Sequence, residues 1–280
     1  MKRLLAILLA ALMLASFAAC SGDEETEENL HDYLQVEEIV DQVTIGSDTF
    51  YIQPIDTETI AITGYKGSDA LHAVTIPAEM ENRKVVTIDE YAFRNCTAIT
   101  AVTLPATLEK IAQYSFAGCL ALESVTIPKA VTTLAEGAFV GCTSLKTVTF
   151  EEGSALTGIA KNAFNGCVAL EAIAAPATVK AVGAGAFYGC TALETVTFAE
   201  GLETLGAQAF HGCAALNTLT VPASLVNFET SYVDGWDRHM VFAGCEALYL
   251  DGITVPAGSV AETYFTTTIA LAQSAPAVAE

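Results

Sequence analysis

Hydrophobic positions along this chain recur with a fixed period that is neither the rhythm of one long helix nor the alternation of one strand. Each unit follows the pattern V/L-x-x-I/L-x-x-x-A-F-x-G-C-x-x-L-x-x-V-T-I/F-P, as in SFAGCLALESVTIP at residues 115–128. A repeated unit of this length cannot bury its apolar side alone. The pattern therefore predicts a repeat solenoid in which each unit forms one coil stacked on the next.

Three apolar positions define the repeat. Seven of the eight cysteines fall on one of them, as Cys96, Cys119, Cys142, Cys167, Cys190, Cys213 and Cys245, with spacings of 23, 23, 25, 23, 23 and 32 residues. The aromatic position is Phe93, Phe116, Phe139, Phe164, Phe187, Phe210 and Phe242, and the aliphatic position is Ile99, Leu122, Leu145, Leu170, Leu193, Leu216 and Leu248. We expect each phenylalanine to fill the middle of its coil.

A short strand follows the aliphatic position of each unit. In SVTIP, alternation places Val125 and Ile127 on one face and Thr126 on the other. Parallel stacking of these strands would form a threonine ladder of Thr75, Thr103, Thr126, Thr149, Thr197, Thr220 and Thr254, interrupted by Ala174. A proline follows most of these strands and ends them, at Pro77, Pro105, Pro128, Pro176, Pro222 and Pro256.

The A-F-x-G-C segment predicts the opposite side of each coil. The small residue before phenylalanine lets coils approach, and the glycine suits a backbone position with positive φ. Asn95 replaces this glycine in the first unit, and asparagine tolerates positive φ better than other non-glycine residues. His211 occupies the variable x position, so we expect it to be exposed and not to bind a ligand.

The repeated cysteines permit two interpretations. Equivalent residues of stacked strands could come close enough for disulfides, and the chain carries an export signal, so a disulfide framework is conceivable. However, the cysteine side chains of stacked coils point in the same direction, and an odd number of cysteines cannot all pair. Both facts favour buried free thiols. No C-x-x-C pair occurs and His31, His72, His211 and His239 have unrelated contexts, so no metal site is expected.

The repeat resembles the BspA-type leucine-rich-repeat family of bacterial surface proteins over residues 49–260. Residues 49–77 resemble the family's N-terminal β-hairpin cap, and ITVPAGSV at residues 253–260 resembles its closing unit. The resemblance implies a curved parallel β-sheet on one face of the solenoid and short turns, strands or 3-10 segments on the other. It also implies adhesion or other protein-protein contact at a cell surface.

The N-terminus carries an export signal. Lys2 and Arg3 precede an apolar run over residues 4–14, and ASFAAC then ends at Cys20. This end resembles a bacterial lipoprotein signal, which implies that Cys20 is lipidated and anchors the mature protein to the bacterial envelope. An ordinary secretory signal cut near the same place is the alternative. Six of the twelve residues that follow Cys20 are acidic, which predicts a solvated tether and resembles the acidic stretch of some surface-exported lipoproteins.

These features divide the chain into five predicted segments. They are the signal peptide (1–19), the acidic tether (20–42), the N-terminal β cap (43–84), the solenoid of about seven units (85–260) and a C-terminal cap or tail (261–280). The net charge is −21 with only 12 basic residues, which argues against nucleic acid or an anionic membrane surface as a partner. We expect membrane contact only through the N-terminal lipid.

No sequence feature predicts catalysis. The chain has no nucleophile elbow, glycine-rich phosphate loop or facing carboxylate pair. Glu123 and Glu194 share one variable repeat position, which is typical of a solvated edge. We therefore expect neither enzymatic activity nor a cofactor.

One insertion breaks the period between Cys213 and Cys245. It contains a candidate binding loop of Tyr232, Asp234, Trp236, Asp237, Arg238 and His239. Insertions in solenoids often lie on the binding face, and Trp, Tyr and Arg are enriched at interface hot spots. The alternative is a loop that folds its tryptophan over the last coil.

The resulting hypothesis is a non-catalytic, lipid-anchored surface protein that binds a protein ligand, either host extracellular or bacterial. The candidate binding face is the threonine row Thr103, Thr126, Thr149, Thr197 and Thr220. An accessory glycan-capture protein and a structural envelope protein are the alternatives. Exposed aromatic platforms, which sugar binding commonly uses, are scarce at the predicted outer strand positions.

Overall fold

The computed structural model describes residues 41–228 and 240–266. Within them the chain forms a parallel β-solenoid of about seven turns, as the period predicts. Each coil contributes one longer strand to an eight-stranded sheet and one short strand to a second sheet. Apolar side chains from both sheets fill the space between them as one continuous core.

The eight-stranded sheet, here called the threonine sheet, is entirely parallel. Its strands in chain order are β4 (His72–Thr75), β7 (Ile99–Thr103), β9 (Ser124–Ile127), β11 (Thr147–Phe150), β13 (Ala172–Ala175), β15 (Thr195–Phe198), β17 (Thr218–Thr220) and β19 (Ile253–Thr254). The strands followed by a proline end one or two residues before it, because proline cannot donate a hydrogen bond to a continuing ladder. This confirms the prediction from the prolines.

The second sheet has eleven strands. It begins with β1 (Asp41–Ile45), β2 (Asp48–Pro54) and β3 (Thr59–Lys66), which form an antiparallel meander. The strands β6 (Arg83–Ile88), β8 (Lys110–Ile111), β10 (Thr133–Leu134), β12 (Gly158–Ile159), β14 (Ala181–Val182), β16 (Thr204–Leu205) and β18 (Asn227–Phe228) continue it in parallel, and β5 (Glu79–Met80) pairs with β6. Most of the parallel strands have only two residues, so stacking between coils sets their geometry.

Two segment boundaries differ from those predicted. β1 begins at Asp41, inside the segment predicted as tether. β4 lies inside the segment predicted as cap, yet it pairs in parallel with β7 and belongs to the threonine sheet. The parallel stacking therefore starts before residue 85, because β4 follows the same V-T-I-P pattern as the later coils.

Short helical segments occur at the C-terminal end. They are the 3-10 helices η1 (Met240–Phe242) and η2 (Leu250–Gly252) and a helical segment at residues 260–266. Phe265 is buried, and its ring centroid lies 5.4 Å from that of Phe242. This helical segment therefore covers the end of the apolar core.

A column of aromatic rings runs through the middle of the coils. Successive phenylalanine centroids from Phe93 to Phe242 are 4.9–5.5 Å apart, with planes within 14° of parallel. Tyr65 of β3 continues the column, with its centroid 4.9 Å from that of Phe93. The prediction that phenylalanine fills each coil is confirmed, and a tyrosine outside the repeat begins the column.

Candidate binding surfaces

The outer face of the threonine sheet has the ladder that alternation predicts. The strand registers pair Thr75 with Thr103, Thr126 with Thr149, and Thr197 with both Ala174 and Thr220. Thr103, Thr126, Thr149 and Thr197 are exposed and Thr220 is half-buried, whereas the alternating Val125 and Val148 are buried. The sheet thus presents the predicted residues along one continuous face.

A second row of small side chains runs beside this ladder. It consists of Ala73, Ala101, Ser124, Thr147, Ala172, Thr195 and Thr218. The hydroxyls of Thr126 and Thr149 lie 2.8 Å apart and hydrogen-bond along the ladder. The face therefore offers methyl groups and hydroxyls without a charged group in either row, which suits contact with a flat, complementary surface.

Charged residues lie along the corner where these strands begin. Backbone hydrogen bonds from each coil to the preceding one align Glu123, Lys146, Glu171 and Glu194 in one row. All four are exposed. The interpretation of Glu123 and Glu194 as a solvated edge is therefore confirmed, and the corner gives the threonine sheet an acidic margin.

The A-F-x-G-C segments form a third hydrogen-bonded side of the coil, here called the turn face. The N–H groups of Tyr91, Phe93 and Asn95 donate to carbonyls of the next coil, those of Gln113, Ser115 and Ala117. The same pattern continues through later coils. Asn95 has φ of 59°, and the equivalent Gly118, Gly141, Gly166, Gly189, Gly212 and Gly244 have φ of 68–75°, which confirms the prediction for that position.

A second positive-φ position on the turn face was not predicted. It lies two residues before each phenylalanine and is occupied by Tyr91, Tyr114, Gly137, Asn162, Gly185 and Gln208, with φ of 53–61°. Glycine and asparagine adopt this conformation readily, but tyrosine does so at a cost. The repeat pattern did not reveal this position because it carries several residue types, although Gly137, Asn162 and Gly185 are residues that favour positive φ.

Two stacked aromatic pairs, each with one exposed and one half-buried ring, also occur on the turn face. Tyr91 and Tyr114 stack with centroids 5.6 Å apart, and Tyr188 and His211 stack with centroids 4.7 Å apart. His211 is half-buried, so the expectation that it is exposed was wrong. The stacked tyrosine partner in the preceding coil accounts for the difference.

A polar cluster joins the meander to the first coil. Tyr65 donates a 2.6 Å hydrogen bond to Asp48, and His72 Nε2 lies 2.8 Å from the Tyr65 hydroxyl oxygen. His72 Nδ1 faces the carbonyl of Ala70 at 2.8 Å, so it must donate there. His72 Nε2 also lies 3.5 Å from Asp48 Oδ1, so the three side chains form one compact cluster.

This cluster borders a small cavity of about 260 Å³ that is also lined by Asn95, Cys96 and Thr97. Burial and the hydrogen bond to Asp48 raise the pKa of Tyr65. The sequence showed no sign of the cluster because its members lie on three different strands, β2, β3 and β4. Its hydrogen bonds fix the meander onto the solenoid.

The repeated cysteines form a ladder of free thiols within the described chain. Five are buried, and the first and last, Cys96 and Cys245, are half-buried. Each thiol from Cys119 to Cys245 donates to the carbonyl of the phenylalanine in the preceding coil, with Sγ–O distances of 3.1–3.2 Å. Burial raises the pKa of the Cys190 thiol to about 12, so this thiol favours its protonated, hydrogen-bonded form.

The comparisons with known proteins agree with this architecture. A sequence profile described as BspA type leucine rich repeat region matches six copies of the unit, over residues 58–158 and 157–234. The chain belongs to the BspA-type leucine-rich-repeat family. Curated proteins gave no significant match.

Several solved structures resemble this BspA-type chain in fold. A leucine-rich repeat protein from Eubacterium ventriosum is 22% identical, with a TM-score of 0.59 over 74% of this chain and 50% of its own. The pneumococcal vaccine antigen PcpA is 19% identical, with a TM-score of 0.51 over 78% of this chain and 51% of its own. The leucine rich repeat protein of T. pallidum, TpLRR, is 24% identical with a TM-score of 0.48, over 76% of this chain and 92% of its own. This chain therefore spans about half the length of the first two.

Other predicted sites of this BspA-type chain lie outside the described residues. These are Cys20 and the loop of Tyr232, Asp234, Trp236, Asp237, Arg238 and His239. Across residues 41–228 and 240–266, no group of three metal-binding side chains comes together. The same residues include no helix long and apolar enough to cross a membrane.

Proposed function

We propose that this protein is an exported lipoprotein that acts, without catalysis, as a binding scaffold at the bacterial cell surface. Its ligand is a host extracellular protein or another bacterial surface protein. The observation that carries the proposal is the outer face of the threonine sheet. Its two rows consist of exposed or half-buried small side chains over consecutive strands, held in register by backbone hydrogen bonds.

The physical argument for protein binding is preorganisation. The exposed side chains of this face are short, so they lose little conformational entropy when a partner covers them. Their methyl groups supply apolar area, and their hydroxyls can accept or donate hydrogen bonds without the desolvation cost of a charge. The acidic margin would then orient a partner and exclude acidic ones.

The binding proposal is tested with a double variant of the sheet, Thr126→Arg/Thr149→Arg. We expect a ligand identified by pull-down from extracellular matrix and bacterial surface proteins to lose at least about tenfold in affinity, because two long charged side chains obstruct the flat face. Thr143→Arg is the matched control, since Thr143 is an exposed threonine in a turn away from the sheet. Equal affinity of both variants, measured by surface plasmon resonance, would exclude the threonine sheet as the binding face.

Anchoring is tested separately. We expect fatty-acid label to be incorporated into the wild-type protein in cells and to be absent from Cys20→Ala, because the thiol of Cys20 is the proposed acceptor. Cys96→Ala is the matched control and should retain the label, since Cys96 belongs to the repeat ladder. Label that persists in Cys20→Ala would show that the protein is not a lipoprotein.

A further inference from the structure

Tyr91 and Tyr114 occupy backbone positions that tyrosine adopts only at an energetic cost. Their φ angles are 60° and 53°, and the equivalent positions of other coils carry Gly137, Asn162, Gly185 and Gln208. Replacement by asparagine or glycine would remove this strain without changing the path of the chain. Strained residues of this kind concentrate at functional sites, where function compensates for the cost.

The two rings form a stacked aromatic surface in which Tyr91 is exposed and Tyr114 is half-buried. They stack with centroids 5.6 Å apart and planes 4° from parallel, and Tyr91 is 47% exposed. The ring of Tyr114 lies over Gly137, where a Cβ atom would come within 2.3 Å of the ring. Gly137 thus leaves the space that the tyrosine stack needs.

Polar groups of both charge signs surround the rings. The Arg94 guanidinium lies 5.3 Å from the centroid of Tyr91. The hydroxyl of Tyr114 donates to Glu136 Oε1 at 3.2 Å, and Lys161 Nζ lies 3.3 Å from the same oxygen. The site therefore combines apolar ring surface with two cationic side chains and one carboxylate, which supply hydrogen-bond donors and acceptors.

A second aromatic pair lies further along the same turn face. Tyr188 is 38% exposed and stacks on His211, with centroids 4.7 Å apart. Tyr188 belongs to the fourth coil after that of Tyr91. At about 4.8 Å per coil the two pairs are about 19 Å apart. Two aromatic pairs held at this spacing on one solenoid suit a ligand that is itself long and repetitive.

We propose that the turn face is a second binding site, separate from the threonine sheet, and that it takes a neutral, linear polysaccharide. Sugar rings would pack their C–H faces against the exposed aromatic rings and bury apolar area. Their hydroxyls would hydrogen-bond to Arg94, Glu136 and Lys161. The net charge of −21 disfavours a polyanionic chain.

The experiment is native affinity electrophoresis of the full mature chain in gels that contain mixed-linkage β-glucan, galactomannan, xyloglucan or soluble starch. We expect at least one of these to retard the wild-type protein, with little dependence on salt because no charge pairing with the ligand is involved. Tyr91→Asn/Tyr114→Asn should weaken the retardation about tenfold or more, while its urea midpoint stays equal or rises. Tyr188→Ala should weaken it to a smaller extent.

Two controls separate this site from other surfaces. Tyr249→Asn removes a tyrosine that is 56% exposed outside the turn face, and it should bind as the wild type does. Thr126→Arg/Thr149→Arg changes the threonine sheet and should also retain the polysaccharide, so this result is independent of the proposed protein ligand.

Three outcomes would overturn the inference. The first is the absence of retardation by every neutral polysaccharide, and the second is retardation only by polygalacturonate. The third is a tyrosine variant that binds normally but unfolds at lower urea, which would make the stack a structural element. In the first case, a protein ligand lost only in the tyrosine variant would assign the stack to protein contact.

Discussion

Ser115 is a polar residue at an otherwise apolar position of the repeat. Its side chain is fully buried, and its hydroxyl oxygen has no hydrogen-bond partner within the described structure. The equivalent residues of the neighbouring coils are Ala92 and Ala138, both buried. A buried, unsatisfied hydroxyl loses its hydration without compensation, so Ser115 destabilises its coil.

We expect Ser115→Ala to raise the free energy of unfolding by about 1–2 kcal/mol, because it removes the unsatisfied group and restores the residue of the adjacent coils. Ser154→Ala is the matched control. Ser154 is also buried, but its hydroxyl accepts a hydrogen bond from the Leu156 N–H, so the control should lose about 0.5–1.5 kcal/mol. Urea denaturation measures both. A loss of stability in Ser115→Ala would contradict this assignment.

The cysteines illustrate how residue chemistry depends on neighbours that are distant in sequence. Cys119 donates to the carbonyl of Phe93, 26 residues away, and the other buried thiols repeat this bond. Each of these carbonyl oxygens also accepts a hydrogen bond from the backbone N–H of the cysteine in its own coil. The thiol therefore donates the second hydrogen bond to that oxygen. This explains why a thiol suits the position better than an alkyl group of the same size.

At the scale of the element, a coil is stable only against its neighbours. Strands such as β8 and β10 have two residues each, which is too few for independent stability. The phenylalanine column, the thiol ladder and the backbone ladders all join one coil to the next. The interface between coils is therefore the unit of stability, as in other repeat proteins.

We expect Phe164→Ala to lower the free energy of unfolding by about 3–5 kcal/mol, because it removes a fully buried ring from a central coil. Its ring lies 5.5 Å from Phe139 and 5.4 Å from Phe187, so both interfaces lose contacts. Phe242→Ala is the control in the last coil of the column. Its ring is 9% exposed, and the loss should be smaller. Equal losses in urea melts would show that the column does not stabilise central coils preferentially.

At the scale of the whole molecule, the thiol ladder links stability to alkaline pH. Burial raises the pKa of Cys96 and Cys190 to about 12, and the pKa values of Cys119, Cys167 and Cys213 are also raised. A thiol in the unfolded chain has a pKa of about 8.5. Above that pH the unfolded chain releases protons that the folded protein retains, so rising pH favours unfolding.

We therefore expect stability to be fully present below about pH 8.5 and to fall above it, by about 1.4 kcal/mol per pH unit for each of these five thiols until the pH reaches the pKa of that thiol in the folded protein. Urea midpoints measured across this range check the prediction. Cys119→Ala/Cys190→Ala is the control and should show a shallower slope, because two thiols no longer contribute. A pH-independent midpoint, or far fewer than seven repeat thiols titrated after denaturation without reductant, would contradict the free thiol ladder.

The predictions that succeeded concern residues whose environment is set by the repeat. Val125 is buried and Thr126 exposed because strand alternation fixes their faces. Asn95 has positive φ because it stands where glycine does in later coils. The exposed threonine row followed from strand alternation and from the recurrence of the same strand pattern in successive units.

The repeat period alone determined the solenoid, the aromatic column and the threonine face, because each follows from local periodicity copied along the chain. Tertiary structure decided which separate segments meet. It brought Asp48, Tyr65 and His72 together, placed each thiol on a carbonyl of another coil, and revealed that Tyr91 and Tyr114 hold a strained conformation side by side. These contacts depend on backbone angles and on the registry between coils, and hydrophobic spacing along one chain specifies neither.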